Sequence, residues 1–375
     1  MAYYIGVMSG TSMDGVDAIL TDITDTSIAP IAAVSIPYPA ELLELLHQLC
    51  TVSPNEINHL GQADRAVGRV FAEAVNKLLA EQHLSPADIR AIGSHGQTVR
   101  HYPDGPPGHQ DDNGFTLQIG DPNTISSLTG IDVVADFRRK DIAYGGQGAP
   151  LVPAFHAARF AEAGEHRAIV NIGGFANITV LEGVDAGATR GFDTGPGNTL
   201  MDAWCLQHLN QPFDRDGNWA ASGTVNQPLL NSLLADSYFS GTGPKSTGRE
   251  YFNLVWLRHH LHALGTSIAP EDVQATLLAL TATTIANAIR ALEKVKQCYV
   301  CGGGAFNGPL MAKLGQLLPD CTVKATDSLA LHPQWVEGVA FAWLAWAYLH
   351  RVPGNVPNVT GASRAVVLGS LTLAD

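Results

Sequence analysis

Short apolar runs recur along the chain, broken by glycine-rich polar turns and separated by longer stretches with helical spacing. Tyr4–Val7 and Val16–Leu20 predict two short strands, with Met8 to Gly15 as the turn between them. A plain hairpin needs only about two to five turn residues. This turn is longer, and it is crowded with hydroxyls and bare backbone amides. Helices are expected around Pro54–Gln82, and "IRAIGSHGQT" predicts a strand entering a glycine turn. The loop "HYPDGPPGHQDDNG" then reads as a surface excursion near a site or as a long hairpin connection. Strands and helices alternate throughout, which predicts an α/β architecture.

The pattern repeats. "YIGVMSGTSMDGVDAIL" has an echo in "RAIVNIGGFANITVLEG", and "AIGSHGQT" has one in "CYVCGGGAFNG". Each half offers a hairpin with a polar turn, then helices, then a strand ending in glycine. A duplicated α/β unit implies two similar lobes facing across a cleft, a favoured place for a ligand. Lobe I is expected over residues 1–137 and lobe II over 138–351. "AVVLGSLTLA", after a helix at Trp335–Leu349, predicts a strand that returns within 352–375 to complete lobe I.

Composition narrows the class. With 375 residues, 46% hydrophobic and 15% charged, the chain is expected to bury a sizeable core. Its net charge of −13, with no basic run, argues against nucleic-acid binding. The start "MAYYIGVMSG" lacks a signal-peptide pattern, and the apolar stretch "WVEGVAFAWLAWAYLH" is short for a membrane span and carries Glu337. Five cysteines fit a reducing compartment. Cys298 and Cys301 have C-x-x-C spacing with no second pair, and read as buried small residues. A cytoplasmic protein that does not engage membranes is expected.

Three glycine-bearing turns follow strands: Ser9–Gly15, Gly173–Asn177 and Gly302–Asn307. Glycine lets the backbone approach a ligand closely, so that successive amides point at one anion. Neither a Walker loop nor a dinucleotide fingerprint is present. Any one of these turns alone reads as an ordinary tight turn. Three at corresponding places in two halves point to a nucleotide. The candidate residues for that nucleotide are Gly10, Thr11, Ser12, Met13, Asp14, Gly15, Val16 and Asp17 in the first turn; Gly173, Gly174 and Asn177 in the second; and Gly302, Gly303, Gly304 and Asn307 in the third.

The order of hairpin, hairpin and "GGG" turn resembles the ATPase fold of actin, hexokinase and the heat-shock chaperones, a duplicated ribonuclease H-like fold. "GVMSGTSMDGVD", "GSHGQT", "ADFRRKDIAYGGQGAPLVP", "NIGGFANIT", "GFDTGPGN", "CGGGAFNG" and "WVEGVAFAWLA" resemble the motifs of the anhydro-N-acetylmuramic acid kinase family. The resemblance runs from Gly6 to Ala345 and implies ATP, Mg2+, an amino-sugar substrate and a homodimer. Two departures from the wider fold stand out. Val7 and Met8 stand where the first phosphate strand usually carries aspartate, and Asn171 stands where the second hairpin often opens with one. The magnesium ligands are therefore undetermined.

Asp193 lies in "GFDTGPGNTLMDAW", before a turn from which Asn198 or Thr199 is expected to cap a helix. From the residues alone, a structural carboxylate in an Asx turn and a catalytic one weigh equally. The resemblance implies the catalytic base, with Gly195 and Asn198 beside the substrate. It also implies a reaction in which the bridge between C1 and O6 is hydrolysed while O6 is phosphorylated. A lactyl carboxylate then needs a partner, and Arg138 in "DFRRKD" is the choice, oriented by Asp136 or Asp141. Glu337, a carboxylate in an apolar helix, is expected to face the cleft and orient substrate or a magnesium-bound water. Gln97 and Thr98 are candidates for the sugar pocket, and His95 reads as a turn histidine bonded to backbone. "GPKSTGREYF", with Lys245, Ser246 and Arg249, resembles a family loop near the nucleotide, and a solvated loop is the plainer reading. The alternatives are a kinase of another sugar or acid on the same fold, and an actin-like ATPase switch.

Overall fold

A computed structural model describes residues 2–10, 13, 15–106, 108, 114–240, 247–248 and 251–375. The chain divides into two compact units, one of residues 1–159 with 335–375 and one of residues 160–334.

In the first unit, β1 (Tyr3–Met8), β2 (Val16–Thr24) and β3 (Ser27–Ile36) form an antiparallel meander. β4 (Ile89–Ser94) then joins β1 in parallel. β5 (Gln97–Tyr102) and β6 (Phe115–Ile119) make a separate hairpin, and residues 107 and 109–113 of the proline-rich stretch between them lie outside the described residues. β7 (Val133–Ala135) returns to pair in parallel with β4. The long helix Glu56–Gln82 buries Ala63, Val67, Val70, Phe71, Ala74, Val75 and Leu78. Their spacing of three and four residues gives it one apolar stripe, which joins the core around Ile5, Leu20 and Ile92.

The second unit repeats this order. β8 (His166–Ile172), β9 (Phe175–Glu182) and β10 (Arg190–Pro196) form an antiparallel meander. β11 (Gln297–Cys301) joins β8 in parallel, and β12 (Thr322–Ala325) joins β11 in parallel. Counting only its own sheet strands, each unit therefore runs third-second-first-fourth-fifth, with matching directions. The expected duplication is present as topology. The chain ends in β13 (Ser370–Thr372), antiparallel to β7, so the C-terminal strand returns to the first unit as expected. Cys298 and Cys301 are buried in β11, as read from the sequence.

The unit boundaries differ from the expected 137/138 and 351/352. Residues 138–159 and the helix Val336–Leu349 belong to the first unit. For the helix, the reason lies in two glycines. Gly6 of β1 and Gly93 of β4 are paired in register, and a Cβ on either would sit 1.8 Å from the Gly338 carbonyl oxygen or 1.9 Å from that of Phe341. The bare strands make a flat seat for that helix, whose small residues allow the approach. An all-round apolar helix needs such a buried seat. No helix among the described residues is long and apolar enough to cross a membrane.

Candidate active site

In the first unit the turn after β1 is held from beneath. The Ser9 hydroxyl shares its one proton between the Gly15 carbonyl, 2.9 Å away, and Gln97 Oε1, 2.7 Å away. The Tyr38 hydroxyl donates to the same Gln97 oxygen at 3.3 Å, and Gln97 Nε2 donates to the carbonyls of Gly10 and Thr98 at 3.2 Å each. Gln97 is fully buried and its carboxamide is engaged on every side. Its task is therefore to fix the turn, where the sequence suggested contact with a sugar. Thr98 is likewise tied into its hairpin, accepting from Gln118 Nε2 at 3.1 Å.

The turn borders a cavity of about 440 Å³ lined by Met8, Gly10, Gly15, Val16, Asp17, Ser35, Ile36, Pro37 and Glu337. Met13 and Val16 turn their side chains into the core. The Ser35 hydroxyl donates to the Asp17 carboxylate. Glu337, half-buried, stands in the first turn of its helix, where the dipole favours a carboxylate. Thr11, Ser12 and Asp14 lie outside the described residues.

Arg138 begins the short helix Arg139–Ala143. Its Nη1 donates to the Gly148 carbonyl at 2.9 Å, and its Nε and Nη2 lie 3.2 and 2.9 Å from His95 Nε2. Burial lowers its pKa to about 10, opposed by the negative charges of Glu337 and Asp141, so it stays cationic at neutral pH. The expected orienting aspartates divide differently. Asp136 pairs with Arg139 at 3.3 Å. Asp141 acts through backbone, accepting from the Gly148 amide at 2.8 Å and so holding the carbonyl that Arg138 uses. His95 does bond backbone, with its Nδ1 3.2 Å from the Ser9 carbonyl.

In the second unit the meander brings a row of polar residues together. Asn177 on β9 is directly opposite Asn171 on β8 and Asp193 on β10. Directly paired residues share a sheet face, so Asn177 is a neighbour of Asp193 within the sheet. The second turn is Gly173–Gly174 alone, where the sequence extended it to Asn177. Asp193 itself lies within β10, at a register shift before Gly195, and the strand continues to Pro196 where the sequence predicted a turn. A bulge of this kind re-aims a side chain. The Gly195 φ of 140° and the Phe239 ring, 2.8 Å from where a Cβ would stand, require glycine there.

Asp193 Oδ2 accepts from the Thr247 amide at 3.1 Å, a partner from a distant segment in place of an Asx turn. Burial raises its carboxyl to about 6, and the Thr247 hydrogen bond opposes the rise. The Tyr238 hydroxyl donates to the Asp193 carbonyl at 3.4 Å. Sequence reasoning missed Tyr238, since nothing links residues 45 positions apart in a pattern. Thr247 lies in the flagged "GPKSTGREYF" loop, but Lys245, Ser246 and Arg249 lie outside the described residues.

Asn198 precedes the helix Thr199–Leu209 without capping it, and its Nδ2 donates to the Ile172 carbonyl at 3.3 Å. Asn307 does cap a helix, accepting from the Leu310 amide at 3.0 Å. Gly302 and Gly304 are glycine for the fold's own reasons: φ is 77° at the first, and a Cβ at the second would stand 2.4 Å from Ile172. Gly173, Gly174 and Gly303 are different. None has a left-handed φ, and a Cβ would meet nothing nearer than 3.8, 3.9 and 3.5 Å. The Gly173 amide already donates to the Phe175 carbonyl at 3.2 Å, so it is the amides of Gly174 and Gly303, with room around them, that suit an external anion.

A sheet of third-second-first-fourth-fifth order used twice, with glycine turns at the ends of its strands, defines the fold class of actin and hexokinase, a duplicated ribonuclease H-like fold. The model of the family "Anhydro-N-acetylmuramic acid kinase" matches residues 2–374, and the chain belongs to that family. Proteins of that name from Shewanella sp. (strain ANA-3) and Shewanella loihica (strain ATCC BAA-1088 / PV-4) are 56% and 55% identical, each over 98% of this chain and 98% of the relative. Among solved structures, component A of the (R)-2-hydroxyglutaryl-CoA dehydratase of Acidaminococcus fermentans is 11% identical, covering 91% of this chain and 96% of its own, with a TM-score of 0.46. A ROK family glucokinase from Streptomyces griseus, in complex with glucose and AMPPNP, is 12% identical, covering 92% of this chain and 99% of its own, with a TM-score of 0.40.

Proposed function

We propose that the chain is an ATP-dependent kinase that opens 1,6-anhydro-N-acetylmuramic acid with water and phosphorylates O6, giving N-acetylmuramic acid 6-phosphate. The observation that carries this is the Asp193 carboxylate: held by one amide on one oxygen, with its pKa raised to about 6. A base for water needs a pKa near the working pH, and an ordinary surface aspartate, near 3.9, would be too weak.

Asp193 takes a proton from water as the water oxygen bonds to C1, in the manner of the base of an inverting glycosidase. The C1–O6 bond breaks, and O6 needs a proton or its equivalent. O6 bonding to the γ-phosphorus of ATP, with release of ADP, supplies that equivalent. Atoms balance without a covalent enzyme intermediate. Gly174 and Gly303 offer amides for phosphate, and in the first unit Gly10 and Gly15, whose carbonyls are bonded by Gln97 and Ser9, border the cavity. Asp17 and Glu337 line the cavity beside Gly10 and Gly15. Two carboxylates with phosphate oxygens and water make a donor set that suits magnesium, which neutralises charge on the transferring phosphoryl group. Arg138 is assigned to the lactyl carboxylate through N–H groups not engaged by His95 or Gly148. A homodimer and a cytoplasmic setting belong to the same proposal, on family membership alone.

The test is turnover with ATP, magnesium and the anhydro sugar in ¹⁸O-labelled water, with Asp193→Asn alongside. Label at C1 of a 6-phosphorylated product, lost in the variant, supports the reading. Phosphorylation of an open sugar without label at C1, or ATP turnover without sugar, overturns it.

A further inference from the structure

We infer that His95 is a positioning residue for Arg138: a neutral imidazole, protonated on Nδ1, that fixes the direction of the guanidinium and ties it to the phosphate turn through Ser9. The inference rests on the reading of Arg138 as the partner of the sugar's lactyl carboxylate.

Donor counting sets the tautomer. A guanidinium carries five N–H donors and no acceptor. His95 Nε2 lies 3.2 Å from Arg138 Nε and 2.9 Å from Nη2, so it can only accept, and the ring proton sits on Nδ1. Nδ1 in turn donates to the Ser9 carbonyl at 3.2 Å. His95 is 6% exposed, and its ring packs at a tilt against Phe341 of the helix seated over β1 and β4, with centroids 4.7 Å apart, which confines it. An imidazolium would face the guanidinium with a donor against donors. Burial and the Arg138 charge together press the His95 pKa down to about 3, which keeps the ring neutral throughout the working range.

Orientation follows. Nε and one N–H of Nη2 are engaged by His95, and one N–H of Nη1 by the Gly148 carbonyl. One N–H on each terminal nitrogen is engaged by neither, which leaves charged donors for a carboxylate. An arginine free to rotate would lose that geometry and pay the entropy of ordering on every binding event. The same imidazole contacts Ser9, whose hydroxyl supports the turn beside the cavity. Sugar carboxylate and phosphate turn are thus joined through one ring.

Two variants separate the ring's two bonds. In His95→Asn the amide nitrogen reaches the Nδ1 position and keeps the donor to Ser9, but no atom reaches Nε2. In His95→Gln an oxygen reaches the Nε2 position and restores the acceptor for Arg138. The KM for anhydro-N-acetylmuramic acid should rise about 30-fold in His95→Asn and stay within about 3-fold in His95→Gln. 1,6-anhydro-N-acetylglucosamine, the same sugar without the lactyl group, should show little difference among the parent and both variants. His95→Asn on top of Arg138→Ala should add almost nothing. If Arg138→Ala harms both sugars equally, the carboxylate reading fails, while the His95–Arg138 coupling is still scored by the double variant. Full additivity of the two substitutions overturns the inference. A ¹⁵N spectrum of the parent protein tests it without any variant. A protonated Nδ1 with an unprotonated Nε2 at pH 7 is expected, and the opposite tautomer or an imidazolium overturns it.

Discussion

Burial lifts the Asp193 carboxyl to about 6, and this has consequences of opposite sign for activity and stability. The base must be ionised, so kcat/KM should be full above about pH 6 and fall about tenfold per unit below it. An acid limb near 4 would mean that Asp193 is not the base. Stability runs the other way. The same group titrates near 3.9 in an unfolded chain. Between about pH 4 and 6 the unfolded chain releases the proton first, so folding stability is lost as pH rises through that window. The full loss is on the order of 3 kcal/mol. Asp193→Asn, which never ionises, should therefore have a higher Tm than the parent at pH 7 and a similar Tm at pH 4, while losing ring opening. A Tm below the parent's at both pH values would show that the carboxylate is a structural bond to Thr247 instead.

Glycines divide at the level of strands and turns into those the fold needs and those it does not. Gly93 belongs to the first kind: a methyl group there would press on the Phe341 carbonyl at 1.9 Å and unseat the helix Val336–Leu349. Gly93→Ala should cost about 3 kcal/mol or more, read as a lower urea midpoint. Gly174 and Gly303 belong to the second kind, with ordinary φ and room for a methyl. Gly174→Ala and Gly303→Ala should leave the midpoint within about 0.5 kcal/mol of the parent. Their KM for ATP should rise about tenfold, because the added methyl occupies the approach to the amides. An unchanged KM for ATP in both would remove these turns from the nucleotide site.

Across the whole molecule the first unit is closed by bonds between distant parts of the chain. Asp141 is fully buried, and its second oxygen accepts from Asn355 Nδ2 at 2.6 Å and Thr360 Oγ1 at 2.8 Å, more than 200 residues away. The first oxygen met by the Gly148 amide fixes the carbonyl used by Arg138. One carboxylate therefore fastens the returning C-terminal segment and supports the candidate carboxylate site. Asp141→Ala leaves three buried donors without an acceptor and should lower stability by about 3 kcal/mol or more, seen in urea unfolding. A loss below about 1 kcal/mol would mean that water or a neighbour replaces the carboxylate.

Local pattern was enough for much of this. The strand pairs, the glycine turns, the duplication and the C-terminal strand all follow from residues near each other in sequence, because turn chemistry and apolar spacing act over a few positions. Motif order carried the family for the same reason. The roles within the site were less legible. Gln97 stands in a turn motif yet spends its amide on Ser9, Gly10 and Tyr38, and Asn177 proves a strand neighbour of Asp193. His95 reads as a backbone-bonded turn residue until Arg138, 43 positions on, arrives at its ring. Unit membership of the helix Val336–Leu349 was hidden too, because Gly6 and Gly93 show their purpose only when paired under it. The sequence determined which chemistry was present and which turns could hold an anion. The tertiary structure decided which groups are already engaged by the protein and which are left for a ligand, since hydrogen-bond capacity and burial depend on neighbours that the chain brings together only by folding.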